Sequence, residues 1–443
     1  MQRNRRDQRP IVVREAIVES LSHDGRGVAR IDGKATFVHG ALPGERVRIR
    51  VVRRHRNFDE AETEAVLEPS SNRVEPACPR FGVCGGCSLQ HLAPRAQIAA
   101  KQQALLDALR HIGQVEPEQV FAPLVGPSPW GYRRKARLGV KYVARKARVL
   151  VGFRERSSGF VTDTERCPVL HPRVGEALGE LATLIGGLDV RDRLPQVELA
   201  MGDETCILVF RVLAPPSAAD TERLRAFGES RGVAVYLQEA GLDSIRPLDP
   251  PGVSLTYALP DFGVELEFRP GDFTQVNFEV NRLMVARAVE LLRPQVHERV
   301  LDLFCGLGNF TLPLARRTAE VVGVEGEAGL VARARASALR NGIGNARFYT
   351  ANLYGVLDAE PWLHERFDAA LLDPPRTGAF EVLGLLPRLG VARLVYVSCY
   401  PGTLARDAAE LVQRHGYRLV GAGAMDMFPH TAHVESIAVF ERR

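Results

Sequence analysis

Val300-Leu301-Asp302-Leu303-Phe304-Cys305-Gly306-Leu307-Gly308-Asn309 decides the fold of this chain. The first residues form an apolar run broken by one acid, as in a strand buried on both faces. The two glycines then let the backbone turn tightly and approach a ligand, while a helix beginning near Asn309 presents its amide groups. Working outward, Val321-Val322-Gly323-Val324 reads as the next strand and ends in Glu325, nineteen residues after Gly306. A carboxylate there can accept both hydroxyls of a ribose. Asn352 follows a third strand, and Leu371-Leu372 ends a fourth in Asp373-Pro374-Pro375-Arg376. Val395-Tyr396-Val397-Ser398-Cys399-Tyr400-Pro401 is a β-branched run stopped by proline, which delivers the Cys399 thiol to a strand's carboxyl end. Doubly wound sheets bind their ligands at that end. Position 311 is threonine, so the third glycine of a dinucleotide fingerprint is missing. With Glu325, Asn352 and Asp373 the pocket reads as one for S-adenosylmethionine rather than NAD.

A chain of 443 residues, 45% of them apolar, exceeds one compact core, so two or three domains are expected. From about residue 272 strands and helices alternate, which predicts a Rossmann-like parallel sheet over 271–443. Residues 8–70 alternate short apolar runs with turn glycines and predict a small, OB-like β-barrel. Between them, 71–270 predicts a central α/β region. Its strands are Ala136 to Val143, Cys206 to Val212 and Val253 to Ala258, and its helices Val174 to Ile185 and Asp220 to Arg231. A further helix over 94–112 carries Ile98, Leu105, Leu106, Leu109 and Ile112 at helical spacing and can pack on the central or the catalytic domain.

Net charge is only +5, but it is unevenly spread. Arg46, Arg48, Arg50, Arg53, Arg54 and Arg56 have no acid among them, nor do Arg133, Arg134, Lys135, Arg137, Lys141, Arg145, Lys146 and Arg148. Such patches suit a polyanionic partner, although each is also compatible with a solvated face. The charged start Met1-Gln2-Arg3-Asn4-Arg5-Arg6 has no apolar stretch behind it and no run approaches the ~18 residues of a spanning helix. A cytoplasmic protein without a membrane partner is expected. Seven cysteines without an export signal argue for ligand or catalytic thiols rather than disulfides. Cys78, Cys84 and Cys87, with Gly85-Gly86 between them and Cys167 far downstream, can supply four metal ligands. Zinc and an iron–sulfur cluster both accept four thiolates, so spacing leaves the metal open. Cys206 and Cys305 read as core residues.

Five segments carry a resemblance over nearly the whole chain. They are Asp272-Phe273-Thr274-Gln275-Val276-Asn277, Asp302 to Phe310, Leu372 to Arg376, Ser398 to Pro401, and Phe428-Pro429-His430-Thr431-Ala432-His433-Val434-Glu435. In that order they resemble the uracil-C5 RNA methyltransferases. The first region is similar to a TRAM domain, most closely at Gly40-Ala41-Leu42-Pro43-Gly44-Glu45. The resemblance implies that Cys399 is the nucleophile and Glu435 the base. Gln275, Phe304, Asn309, Glu325, Asn352 and Asp373 would be the S-adenosylmethionine site, and Cys78, Cys84, Cys87 and Cys167 the ligands of a [4Fe–4S] cluster. Tyr400 departs from the family, which usually has asparagine there.

Because barrel and cysteines occur together, the resemblance implies 23S ribosomal RNA as substrate, with uracil 1939 as target and a monomer that does not use DNA. Another ribosomal or transfer-RNA uracil is the alternative target. Radical methylthiotransferases also combine a TRAM domain with a cluster, but they bind it through CxxxCxxC and carry the barrel last, whereas here the spacing is Cx5CxxC. A non-enzymatic RNA assembly factor is the third reading. The residue types fit the chemistry. Uracil C5 becomes nucleophilic only after a thiolate adds at C6, and the C5 proton must then leave to a base. A base inside a duplex cannot reach such a thiol, so an unpaired or extruded uracil is required.

Overall fold

The structure is a computed structural model and describes residues 13–357 and 360–442. Residues 8–12 of the expected barrel and the basic N-terminal run lie outside the described residues. Strands β1 (Val13–Leu21), β2 (Gly27–Ile31), β3 (Lys34–His39), β4 (Arg46–Arg54) and β5 (Phe58–Glu68) close into a barrel in the order β1-β2-β3-β5-β4. Inward residues such as Val18, Ala29, Val38, Val47, Ile49 and Ala61 fill it, so the core is small and aliphatic. Closure removes the unpaired edges that five short strands would otherwise expose.

The cysteine loop leads into helix α1 (Pro94–Ala108), extended by a π turn over Leu109–Gly113, and then into a short strand β6 (Gln119–Val120). The central sheet is built from β7 (Lys135–Val143), β8 (Arg148–Gly152), β9 (Gln196–Met201), β10 (Cys206–Arg211), β11 (Ala234–Gln238) and β12 (Arg246–Pro247), in the order β12-β11-β10-β9-β7-β8. Helices α2 (Pro172–Gly175), α3 (Leu178–Gly186) and α4 (Ala218–Arg231) belong to this region, and its core joins Leu138, Leu178, Leu181, Ile185, Phe210 and Leu224.

A hairpin, β13 (Leu255–Leu259) and β14 (Val264–Phe268), precedes α5 (Phe278–Leu292). The catalytic sheet contains β15 (Arg299–Leu303), β16 (Glu320–Glu325), β17 (Ala346–Thr350), β18 (Ala369–Leu372), β19 (Arg393–Ser398), β20 (Tyr417–Met425) and β21 (Glu435–Arg442). Its helices are α6 (Thr311–Ala315), α7 (Ala328–Arg340), α8 (Phe380–Leu383), α9 (Leu385–Arg388) and α10 (Pro401–Arg414). The order is β17-β16-β15-β18-β19-β21-β20-β6. Strands β15 to β19 are parallel, as the alternation predicts, while β21 runs antiparallel to both β19 and β20. The order reverses between β15 and β18, which places a crevice at their carboxyl ends.

Two parts of the chain before 271 join the catalytic domain. Helix α1 packs Leu105 and Leu109 into the core beneath β19 and α10, and β6 extends the sheet beside Gly421 and Ala422. The hairpin β13–β14 buries Leu255, Tyr257, Leu259, Val264, Leu266 and Phe268 in the core with α5 and α7, on the opposite face of the sheet. The sequence division at 270 leaves that hairpin with the central region; its apolar face lies in a core shared between Ala200, Ile207 and Val209 of the central sheet and the catalytic sheet.

Candidate active site

The chain from β15 to α6 is shaped by local constraint. Gly306 and Gly308 have φ of +54° and +88°, and Phe304 one of +64°, so the turn is left-handed where glycine costs least. Thr311, in place of a third glycine, opens α6 and donates its hydroxyl to buried Asp302 at 2.5 Å. Burial and the neighbouring Glu325 push the Asp302 carboxyl up to about 7, against the Thr311 hydrogen bond. Beyond the turn, Glu325 ends β16 and accepts the Gly306 amide at 3.1 Å and the Glu327 amide at 3.0 Å.

A cavity of about 530 Å³ opens at the carboxyl ends of β15, β16, β18 and β19. Gln275, Phe304, Asn309, Glu325, Asn352, Asp373, Cys399 and Glu435 all line it. Asn352 accepts the Tyr354 amide at 3.1 Å in a local turn, which fixes its side chain at the rim. Asn309 is held by residues that sequence reasoning missed. It exchanges hydrogen bonds with Asn281 at 3.0 and 2.9 Å and accepts the Tyr257 hydroxyl at 3.0 Å. Asn281 sits one helical turn after Asn277 and carries no local signal of that pairing. Gln275 is presented by a loop tied to the central domain, where the Arg134 amide donates to the Val276 carbonyl and Lys135 to that of Asp272.

Cys399 and Glu435 meet through strand register. Ser398 opposes Ser436 at the end of the antiparallel pair of β19 and β21, and Cys399 and Glu435 flank that last pair, one residue after Ser398 and one before Ser436. Burial, then the carboxylates of Glu435 and Asp373, push the Cys399 thiol up to about 12, and Arg376 opposes them. Asp373 accepts no side-chain hydrogen bond among the described residues, and burial with Glu435 and Asp302 nearby holds its carboxyl well above the usual range. The raised pKa keeps the thiol neutral beside these acids, and a nearby positive charge would favour the thiolate. His433, whose Nε2 lies 3.6 Å from Glu435 Oε1, also lines the cavity. Tyr400 does not; it caps α10 with its ring beneath the Arg376 guanidinium at 5.5 Å.

The loop that brings Glu435 to the site is held from outside the sheet. His430 has φ of +66°, stacks on Trp130 with ring centroids 3.8 Å apart, and lies against Gln97 of α1. Lys101 of α1 makes a buried ion pair with Asp426 at 2.7 Å and donates to the Phe428 carbonyl at 2.9 Å. Removing one partner of that pair would strand a buried charge at a cost of about 3–5 kcal/mol.

Cys78, Cys84, Cys87 and Cys167 come near one another. Burial, and then the other three thiols, push Cys87 up to about 12, although a Gln90 hydrogen bond opposes them. Cys167 is raised by burial, with Cys84 and Cys78 adding to it. Among the described residues, no group of three or more His, Cys, Asp or Glu side chains is drawn tightly enough to hold a metal ion. Cys206 and Cys305 are buried, as expected of core residues.

Both basic stretches meet acids that the sequence hides. On β4, Arg46 pairs with Glu68 and Glu15, and Arg50 with Glu62 and Glu64. Arg53, Arg54 and Arg56 make no ion pair among the described residues. In the second stretch Arg134 meets Asp203, Arg137 meets Glu198 and Arg148 meets Asp163, half-buried Arg133 and Lys135 donate to backbone carbonyls, and exposed Lys141, Arg145 and Lys146 have no ion pair among the described residues.

Comparison with known proteins agrees with this geometry. A TRAM domain matches over residues 12–63. The family described as tRNA (Uracil-5-)-methyltransferase matches over 255–355 and 357–443. The chain is 60% identical to the 23S rRNA (uracil(1939)-C(5))-methyltransferase RlmD of Alkalilimnicola ehrlichii, covering 97% of this chain and 96% of that protein. It is 54% identical to the protein of the same name from Stenotrophomonas maltophilia, covering 100% of this chain and 99% of that one. Among solved structures, the Pyrococcus abyssi tRNA (uracil-54, C5)-methyltransferase in complex with S-adenosyl-L-homocysteine superposes with a TM-score of 0.74. At 24% identity, over 96% of this chain and 100% of that one, it establishes the fold alone. Motif order, barrel, sheet and full-length identity agree, and the chain belongs to the RNA uracil-C5 methyltransferases.

Proposed function

We propose that this chain methylates C5 of a uracil in 23S ribosomal RNA, with uracil 1939 as its target and S-adenosylmethionine as methyl donor. The observation that carries the reading is Cys399 near Glu435 in one cavity with Glu325, Asn352 and Asp373. The full-length likeness to proteins named for that uracil supports the substrate. The cofactor supplies an electrophilic methyl group on a sulfonium centre. Glu325 suits its ribose, and the amides at the Gly306 turn and Phe304 suit the rest of the nucleoside. Cys399 gives up its proton to solvent and adds to C6 of the uracil, and C5 then takes the methyl group while Glu435 stays ionised. Glu435 then removes the C5 proton, which lets the ring expel the sulfur.

Ribosomal RNA as substrate places the work in the cytoplasm, and no described helix is long and apolar enough to cross a membrane. We read Cys78, Cys84, Cys87 and Cys167 as ligands of a [4Fe–4S] cluster with a structural role. Their spacing along the chain and their mutual influence support that reading.

The test is trapping with a 5-fluorouridine transcript of the target hairpin. A denaturation-resistant adduct is expected with the intact chain and none with Cys399→Ala. Mapping of 5-methyluridine in cells lacking the protein then assigns the position. Loss of the modification at a transfer-RNA or different ribosomal uracil would move the substrate, and full methylation by Cys399→Ala would leave only an RNA-binding role.

A further inference from the structure

The loop from Phe428 to Val434 has to set Glu435 against the uracil ring, yet it makes few hydrogen bonds of its own. Its anchors come from residues more than three hundred positions earlier. The amides of Ser88 and Leu89, at the exit of the cysteine loop, both donate to the His430 carbonyl at 2.9 Å. The Ser88 hydroxyl accepts the Ala432 amide at 2.9 Å. Gln97, buried in α1, accepts the His430 amide at 2.8 Å and donates to the carbonyls of Leu89 and Leu92 at 3.0 and 2.7 Å. One amide side chain therefore joins the end of the cysteine loop to the loop carrying the base. The barrel closes the same joint: at Gly25, with φ of +82°, a Cβ would sit 3.1 Å from both Ala432 and Leu89.

These anchors do not reach the thiol or the cofactor side of the cavity. Cys399 is fixed by β19 and α10, and Glu325 by β16 and the Gly306 turn. Of the two groups assigned to the chemistry, only Glu435, the first residue of β21, adjoins the segment between Asp426 and β21, which also places Phe428 and His433 on the cavity wall. We propose that Ser88 and Gln97 are positioning residues for proton abstraction, so that the cysteine loop governs the last chemical step and not methyl transfer. The inference rests on the proposed function, because it needs a C5 proton to be removed.

Weakening the joint should leave C6 addition and methyl transfer in place and slow the step after them. The methylated, still protonated ring then stays bonded to Cys399. The experiment uses the full chain with ordinary, unfluorinated RNA and compares Ser88→Ala, Ser88→Thr and Gln97→Glu with the parent. Ser88→Ala loses the acceptor for Ala432, and Gln97→Glu keeps the acceptor for His430 but gives up both donated bonds. Lys101 is left intact, since its loss risks the fold.

A misplaced catalytic group commonly costs about a hundredfold in rate. Steady-state turnover should fall tenfold or more in Ser88→Ala and Gln97→Glu. Methyl incorporation in a single turnover should hold within about twofold, and a denaturation-resistant protein–RNA adduct should accumulate. S-adenosylhomocysteine affinity should be unchanged, and Ser88→Thr should restore turnover. Unchanged turnover would overturn the assignment, as would equal loss of methyl transfer and turnover with no adduct. If the parent chain itself forms neither adduct nor 5-methyluridine, the proposed function fails instead, so the two failures are distinguishable.

Discussion

Cys399 sits in a site that raises its pKa. The carboxylate of Glu435 contributes to that rise, so the group assigned to finish the reaction also keeps the resting thiol protonated. Glu435→Gln should therefore act in opposite directions on two measurements. With one negative charge gone, the thiol becomes more acidic and its alkylation by iodoacetamide at pH 8 should speed up severalfold. Turnover should fall by about 10² or more, as for loss of a general base. Slower or unchanged alkylation would mean that burial and Asp373 set the thiol without Glu435. The motif order made Cys399, Glu325 and Asp373 readable, because each ends a strand with a strong apolar pattern. Asn281, Tyr257, Ser88 and Gln97 were not readable. Their partners lie 28, 52, 344 and 333 positions away, and no local periodicity encodes a hydrogen bond at that range.

Strand β4 shows why a run of arginines is not a free charge patch. Acids on β5 and β1 neutralise the inner half of the run, whereas Glu60 and Asp59, opposite Arg53 and Arg54, are engaged by Arg26 and Lys34, so the distal end stays open. Six exposed cations of the two stretches, Arg53, Arg54, Arg56, Lys141, Arg145 and Lys146, lack an ion pair among the described residues. If all six meet phosphates, the log–log salt slope of RNA binding should be near −4, from about −0.7 per contact on single strands. Replacing Arg53, Arg54 and Arg56 with glutamine should reduce its magnitude by about 2, while Arg46→Gln and Arg50→Gln should hardly change it. Equal effects at all five positions would refute this partition. The barrel itself was legible from its glycine spacing, but the cross-strand acids depend on register, which linear order conceals.

Across the whole molecule, stability carries the imprint of buried neutral histidines. His91, packed against Phe81, has no hydrogen-bond partner at either ring nitrogen. Burial, helped by Arg73 and opposed by Glu45, lowers it to about 4 from an ordinary value of 6.5. A depressed histidine contributes stability in full above pH 6.5, and that contribution is lost as the pH falls through the folded value near 4. His91→Phe should therefore gain on the parent chain as the pH drops from 6.5 to 4, read as a widening difference in Tm. A constant difference across that window would count against the assignment. The global arrangement was legible where alternation was regular, from β15 to β19. It was not legible in β6, two residues whose role as an edge strand depends on a partner near the other end of the chain.

That edge strand has a kinetic meaning. Gln119 and Val120 pair with Gly421 and Ala422, so the sheet cannot be completed at its margin until almost the entire polypeptide has left the ribosome. Barrel and central region can settle while synthesis continues, but the methyl-transferring half must wait for its own last strands and for a helix made much earlier. A nascent copy therefore stays inactive until its final few dozen residues emerge, and truncation near the C-terminus should leave an aggregation-prone chain rather than a weakened enzyme.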